Sequence, residues 1–171
     1  MDVYEAVHCR RSVRSFKPDA IPQAVLDRVL DAARCAPSSL NLQPWKFILV
    51  AKPETKRELI SHCPGQSFAE EAPLLVVACG LPTEGTIAGK ISSSVADVAV
   101  ALAYLSLTAA DEGLGTCWIS AFSEAPVKAA LQVPEYAQVV AITPLGYPTD
   151  TTLRAKYRKP LEEIVSREKF G

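Results

Sequence analysis

Three apolar runs of strand length constrain this chain most: FILVA at 47–51, LLVVAC at 74–79 and QVVAITPLG at 138–146. A strand with one wet face alternates apolar and polar residues. A run without that alternation needs cover on both faces. The expected fold class is therefore α+β, a central mixed sheet flanked by helices. Each run is separated from the next by more than one element, which argues against a doubly wound dinucleotide fold. No GxGxxG follows a strand, and GxxxxGK[ST], GxSxG and HExxH do not occur. At 171 residues and 49% hydrophobic composition, one domain can bury its own core without disulfide or metal staples.

Helical periodicity places the flanking elements. Val3, Ala6 and Val7 give residues 2–9 a short apolar face, with Asp2 as N-cap. A second helix starts with Pro22 at its first position and carries Val25, Leu26, Val29, Leu30 and Ala33 on one face. It stops before Pro37. Short helices fit 54–62 and 124–131. The longest begins after Ser93 or Ser94, with Val95, Val98, Ala99, Leu102 and Leu105 as its stripe, and ends at the Gly113/Gly115 pair. Its many alanines suit a central helix or an interface. Residues 116–120 read as a short strand or extended loop. Residues 80–92, with three glycines and a proline, read as a mobile surface loop. The tail after PLGYP is rich in Lys and Arg, yet Leu161, Ile164 and Val165 within it need burial.

Charge narrows the function classes. Eighteen Lys and Arg against 19 Asp and Glu give a net charge of −1, far from the basic excess of a general nucleic-acid binder, so no nucleic-acid partner is expected. No run approaches 18 apolar residues, so no membrane span is expected. Asp2 and Glu5 stand where a signal peptide needs basic and then apolar residues, and the expected location is cytoplasmic. The five cysteines, Cys9, Cys35, Cys63, Cys79 and Cys117, form no CxxC and have only His8 and His62 beside them. No metal site is expected, and the thiols are expected to be reduced and mostly core residues.

Ligand-binding groups concentrate in three segments. Residues 10–17 hold Arg10, Arg11, Ser12, Arg14 and Lys17, four cations and no acid. Guanidinium forks match phosphate oxygens two at a time, although the same run also suits a solvated basic turn. The Pro-bounded loop 37–44 offers Ser38, Ser39, Asn41 and Gln43, a donor and acceptor set able to read a heterocycle edge, with Trp45 beyond it as core. The tail carries Lys156, Arg158 and Lys159, which would also be ordinary on a surface.

RRSVRSF at 10–16, APSSLNLQPWKFILV at 36–50, GLGTCWISAF at 113–122, PLGYP at 144–148 and YRKPLEEIV at 157–165 resemble, in order and spacing, the nitroreductase family of FMN flavoproteins. The resemblance covers nearly the whole chain. It implies an intertwined homodimer with two FMN sites at the subunit interface. Residues 1–148 would form the FMN-binding domain, and 149–171 a C-terminal arm packed on the other subunit. Carried over by position, Arg10, Arg11 and Ser12 would hold the phosphate and ribityl chain, and Lys156 and Arg158 would close on the phosphate. Arg14 would lie near the pyrimidine as an electrostatic tuner. Pro37, Ser38, Ser39 and Asn41 would reach the flavin from the other subunit. Ile119, Ser120 and Ala121 would line the ring through backbone N–H groups. Where many members bring a basic or amide side chain to the pyrimidine, this chain has only Gln66 to offer. The short 80–92 segment replaces the lid helices of larger members. The implied activity is ping-pong transfer of hydride from NAD(P)H through FMN to a nitroaromatic, quinone or similar electron-poor small molecule. No side chain need be nucleophilic. The alternative is a flavin sensor or store with little reductase activity.

Overall fold

The computed structural model describes residues 1–152 and 155–170. Its strands are β1 (Trp45–Val50), β2 (Leu74–Gly80), β3 (Thr86–Ile87), β4 (Ile91–Ser92), β5 (Gly115–Thr116) and β6 (Gln138–Gly146). The three apolar runs are the three long strands. The main sheet has the order β1-β2-β6-β5, and every pairing of named strands within it is antiparallel. A parallel bridge from Ser12 to Thr116 adds the mixed character at the β5 edge.

The helices are α1 (Val3–Cys9), α2 (Gln23–Arg34), α3 (Pro53–Ser61), α4 (Ser94–Asp111), α5 (Glu124–Leu131) and α6 (Leu161–Ile164). β2 explains why its sequence lacks alternation. Leu74, Val76 and Ala78 pack under α2 and α4 with Val29, Val98, Leu102 and Leu105. Leu75, Val77 and Cys79 pack on the opposite side with Leu59 and Ile60 of α3 and Val127 of α5. Both faces are dry, so both want apolar side chains. A bulge at Val140 shifts the β2–β6 register between Ala78 and Cys79.

Several expectations are corrected. Pro22 is the N-cap of α2, with extended ψ of 139°, so its fixed φ serves the entry to the helix and not its first turn. α3 starts at Pro53. The 80–92 segment is not a plain loop: β3 and β4 pair in a small hairpin, Ile87 opposite Ile91. In α1 only Ala6 is buried, while Val3 and Val7 face outward. In α4, Val95 is exposed, as are Val100 and Tyr104. Leu161, Ile164 and Val165 are exposed, so among the described residues nothing buries them. The residues 153, 154 and 171 of the expected arm lie outside the described residues. Cys63, Cys79 and Cys117 are buried as expected, Cys9 is half-buried and Cys35 exposed. By length and composition α4 could cross a bilayer. Its inner face, however, packs on α2 and the sheet as a core helix does.

Candidate active site

The basic segment is threaded along the sheet edge. α1 begins with a capping box: the Glu5 N–H donates to Asp2 Oδ1 (2.8 Å) and the Asp2 N–H to Glu5 Oε2 (2.9 Å). α1 ends at Arg10, whose backbone is extended. Beyond it the Val13 N–H donates to the Thr116 carbonyl (2.9 Å) and the Lys17 N–H to the Tyr147 carbonyl (2.8 Å). Glu71 Oε2 accepts from the Phe16 N–H (3.2 Å). Gly115 and Gly146 are cross-strand partners. A Cβ on Gly115 would stand 2.5 Å from Val13 Cγ2, and one on Gly146 would stand 2.5 Å from Pro73 and 3.3 Å from Phe16. The two glycines are the space into which the basic segment lies.

Four cations meet at this end. Lys156 comes back from the tail and donates from Nζ to the carbonyls of His8 and Arg10. Arg11 donates to the Asp150 carbonyl. Burial first, and then the charges of Arg10, Arg158 and Arg11, push the Lys156 ammonium below its ordinary value. Among the described residues no carboxylate lies within ion-pair distance of Arg10, Arg11, Lys156 or Arg158. An open cleft of about 510 Å³ is lined by His8, Arg10, Lys156 and Arg158. A second cleft shares Arg10 and continues along Arg11, Ala110, Leu114 and Thr116. Such a concentration of positive charge attracts an anion.

Ser12 bridges to Thr116 of β5, and Arg14 follows two residues later, exposed. Burial raises the Cys117 thiol, and the Arg14 charge and a hydrogen bond with Ser12 partly offset that rise. Gln66 is half-buried and opens the 3-10 turn Ser67–Glu71, whose Phe68 packs on Val13 and Phe16. Ile119 departs from its expected role. Its N–H donates to the Ile142 carbonyl at 3.0 Å, and its side chain is core. Ser120 and Ala121, both exposed, are the residues of that stretch still facing solvent.

The 37–44 loop lies elsewhere. Leu40, Asn41 and Gln43 all have left-handed backbone, with φ of 52°, 56° and 50°, a conformation unfavourable to residues with a Cβ. Ser38 Oγ accepts from the Gln43 N–H (2.9 Å), and Asp97 Oδ1 accepts from the Ser39 N–H (3.0 Å). Leu40 is 79% exposed. Asp97 is in the first turn of α4, whereas Ala110, beside the cationic clefts, is in the last. The helix rise puts about 20 Å between them. The sheet agrees: the loop enters β1 opposite Gly80, while the basic segment lies at the Leu74–Leu145 end, again about 20 Å away along β2. One chain thus brings Arg10, Arg11, Lys156 and Arg158 together, with Ser12 and Arg14 nearby. It does not bring Pro37, Ser38, Ser39 or Asn41 to them. Sequence reasoning missed Asp97, Glu71 and the glycine pair. Of these Asp97 left a trace, as the one charge among residues 94–110 of an apolar helix.

The nitroreductase family model matches residues 7–83 and 63–147. A protein of Thermus thermophilus named NADH dehydrogenase is 32% identical over 96% of this chain and 95% of its own length. The FMN reductase [NAD(P)H] of Bacillus subtilis is 28% identical over 99% of this chain and 74% of its own length. A crystal structure of a nitroreductase family protein from Clostridium novyi NT superposes with a TM-score of 0.82 at 37% identity, covering 91% of this chain and 89% of that one. Fold, segment order and these matches agree: the chain belongs to the nitroreductase family.

Proposed function

We propose that the chain is an FMN-dependent NAD(P)H oxidoreductase, working as a homodimer, that reduces an electron-poor small molecule such as a nitroaromatic or quinone. The observation that carries this is the convergence of Arg10, Arg11, Lys156 and Arg158, with no carboxylate paired to them among the described residues. That donor set fits a phosphate monoester, and the name of the Bacillus subtilis relative supports FMN as the molecule bearing it. Bound FMN would supply the hydride chemistry. The protein's own part is positional and electrostatic. Arg10, Arg11, Lys156 and Arg158 hold the phosphate, and Ser12 adds a hydroxyl. Arg14, two residues beyond Ser12, faces the pyrimidine. Ser120 and Ala121 offer backbone N–H groups to the ring, and Gln66 is an amide on the same side.

The separation of about 20 Å between the cationic turn and the 37–44 loop supports a second copy as the source of Pro37, Ser38, Ser39 and Asn41. The exposed apolar residues of α4, the exposed side of α1 and the tail's apolar residues supply surface for that copy. Residues 149–171 act as an arm across it, and residues 1–148 form the domain. Donor and acceptor take turns at one opening, which gives ping-pong kinetics. The test is FMN uptake, the visible spectrum, and bleaching by NADH or NADPH followed by a quinone. Recovery of FAD, or no flavin uptake, overturns the cofactor. Tight FMN binding without NAD(P)H oxidation would leave a flavin store or sensor. Arg10→Ala should weaken FMN by tenfold or more, since a hydrogen bond to a charged group is worth about 1.5–3 kcal/mol.

A further inference from the structure

Asp97 is 7% exposed, and among the described residues no cation pairs with it. A carboxylate withdrawn from water without a cation must be held by strong hydrogen bonds. Oδ1 accepts from the Ser39 backbone N–H at 3.0 Å, and Oδ2 accepts from the Ser93 hydroxyl at 2.8 Å. The Ser93 N–H in turn donates to the Gly85 carbonyl at 2.9 Å. Ser93 is 3% exposed. Three segments meet here without spare room: a Cβ on Gly85 would lie 2.5 Å from Ser93 Oγ and 2.8 Å from Ser39 Oγ. One of the three is the loop whose Leu40, Asn41 and Gln43 are left-handed. A loop in a conformation its residues disfavour persists only where its surroundings over-determine it. The macrodipole of α4 adds to the preference for an anion in its first turn.

We propose that Asp97 is a positioning residue whose carboxylate clamps the 37–44 loop to the segment that leads into the β3–β4 hairpin, so that both are presented to bound flavin as one unit. The inference rests on the oxidoreductase reading for what the loop faces. It assigns this carboxylate no contact with the reacting atoms. Ile87 and Ile91 pair across the hairpin and are exposed. The clamp therefore also sets where that apolar edge stands relative to the loop.

The experiment compares wild type, Asp97→Ala and Asp97→Asn by backbone hydrogen exchange of the flavin-free protein and by FMN titration. Asp97→Ala should speed exchange about tenfold or more in peptides covering 37–44 and 83–92, with β2 and β6 peptides unchanged. It should weaken FMN about tenfold. Asp97→Asn keeps an acceptor for Ser39 and can donate to Ser93, so it should restore both readouts. The clamp is overturned if β2 and β6 exchange rises in step with the loop, if neither readout moves, or if Asp97→Asn is no better than Asp97→Ala. Should Asp97→Ala fail to fold, Gly85→Ala leaves the carboxylate in place and forces Ser39 aside. It should show the same local exchange and the same FMN loss, and wild-type behaviour there overturns the proposal. A wild-type chain that takes up no FMN fails the cofactor reading. A wild type that binds FMN no more tightly than Asp97→Ala fails this inference alone.

Discussion

Arg14 follows Arg10 and Arg11 on one segment, and two roles compete for it: tuning the flavin, or joining the others on the phosphate. If Arg14 faces the pyrimidine, Arg14→Gln should lower the midpoint potential of bound FMN. A charge at close range in an effective dielectric near 20 is worth up to about 4 kcal/mol, and two electrons convert about 1.4 kcal/mol to 30 mV. Arg14 is exposed, so solvent reduces the effect to a few tens of millivolts. Spectroelectrochemical titration of the FMN-saturated variant checks it; an unchanged potential beside weakened binding would put Arg14 on the phosphate instead. The thiols give a second check at this scale. Burial pushes Cys63 up to about 11 and raises Cys79 and Cys117 as well, so at pH 8 all three stay protonated and shielded. A thiol reagent on the native protein should label Cys35 quickly and these three only on unfolding.

At the scale of elements, the decisive contacts are those of backbone against backbone. The basic segment is docked on β5 and β6 through a pair of glycines. Gly115→Ala should destabilise the chain by about 1–3 kcal/mol, the usual cost of overpacking. It should also weaken FMN by displacing the turn that bears the arginines, as denaturant melts and flavin titration would show. A second element contact is electrostatic: Arg28 of α2 makes a bidentate pair with Glu112 beyond α4, at 2.6 and 2.7 Å. Arg28 holds the Glu112 carboxyl below its ordinary 4.5. The pair therefore contributes fully above pH 4.5 and is lost as pH falls through the lowered folded value. The melting-point gap between wild type and Arg28→Gln should hold steady near neutrality and close in acid. Most elements were legible from periodicity, because a strand dry on both faces and a helix with one apolar stripe leave unambiguous patterns. The β3–β4 hairpin was not. Its two-residue strands are held by the Ile87–Ile91 pairing and by Ser93 bonded to Gly85, and a glycine-rich composition hides both.

For the whole molecule, the candidate site was legible only in part. The arginines and the tail lysine stand out as charge without acid. What brings them together is a contact between the two ends of the chain that no local pattern records. Asp97 and the glycine pair act through close approach, which sequence spacing does not carry. In the proposed dimer, the exposed apolar residues of α1, α4 and the tail would be the surface a two-fold partner covers. Light scattering should give a dimer, and truncation after Pro148 should yield aggregation or a colourless chain; a stable, flavin-loaded monomer would refute the arm. Lys156, anchored on the carbonyls of His8 and Arg10, has one more consequence. Residues 8–10 wait for residue 156 before the cationic cluster is complete. A fragment cut between them, however well its sheet has formed, lacks the lysine that ties the cluster together. In the proposed holoprotein, chains clipped before Lys156 should accumulate without colour.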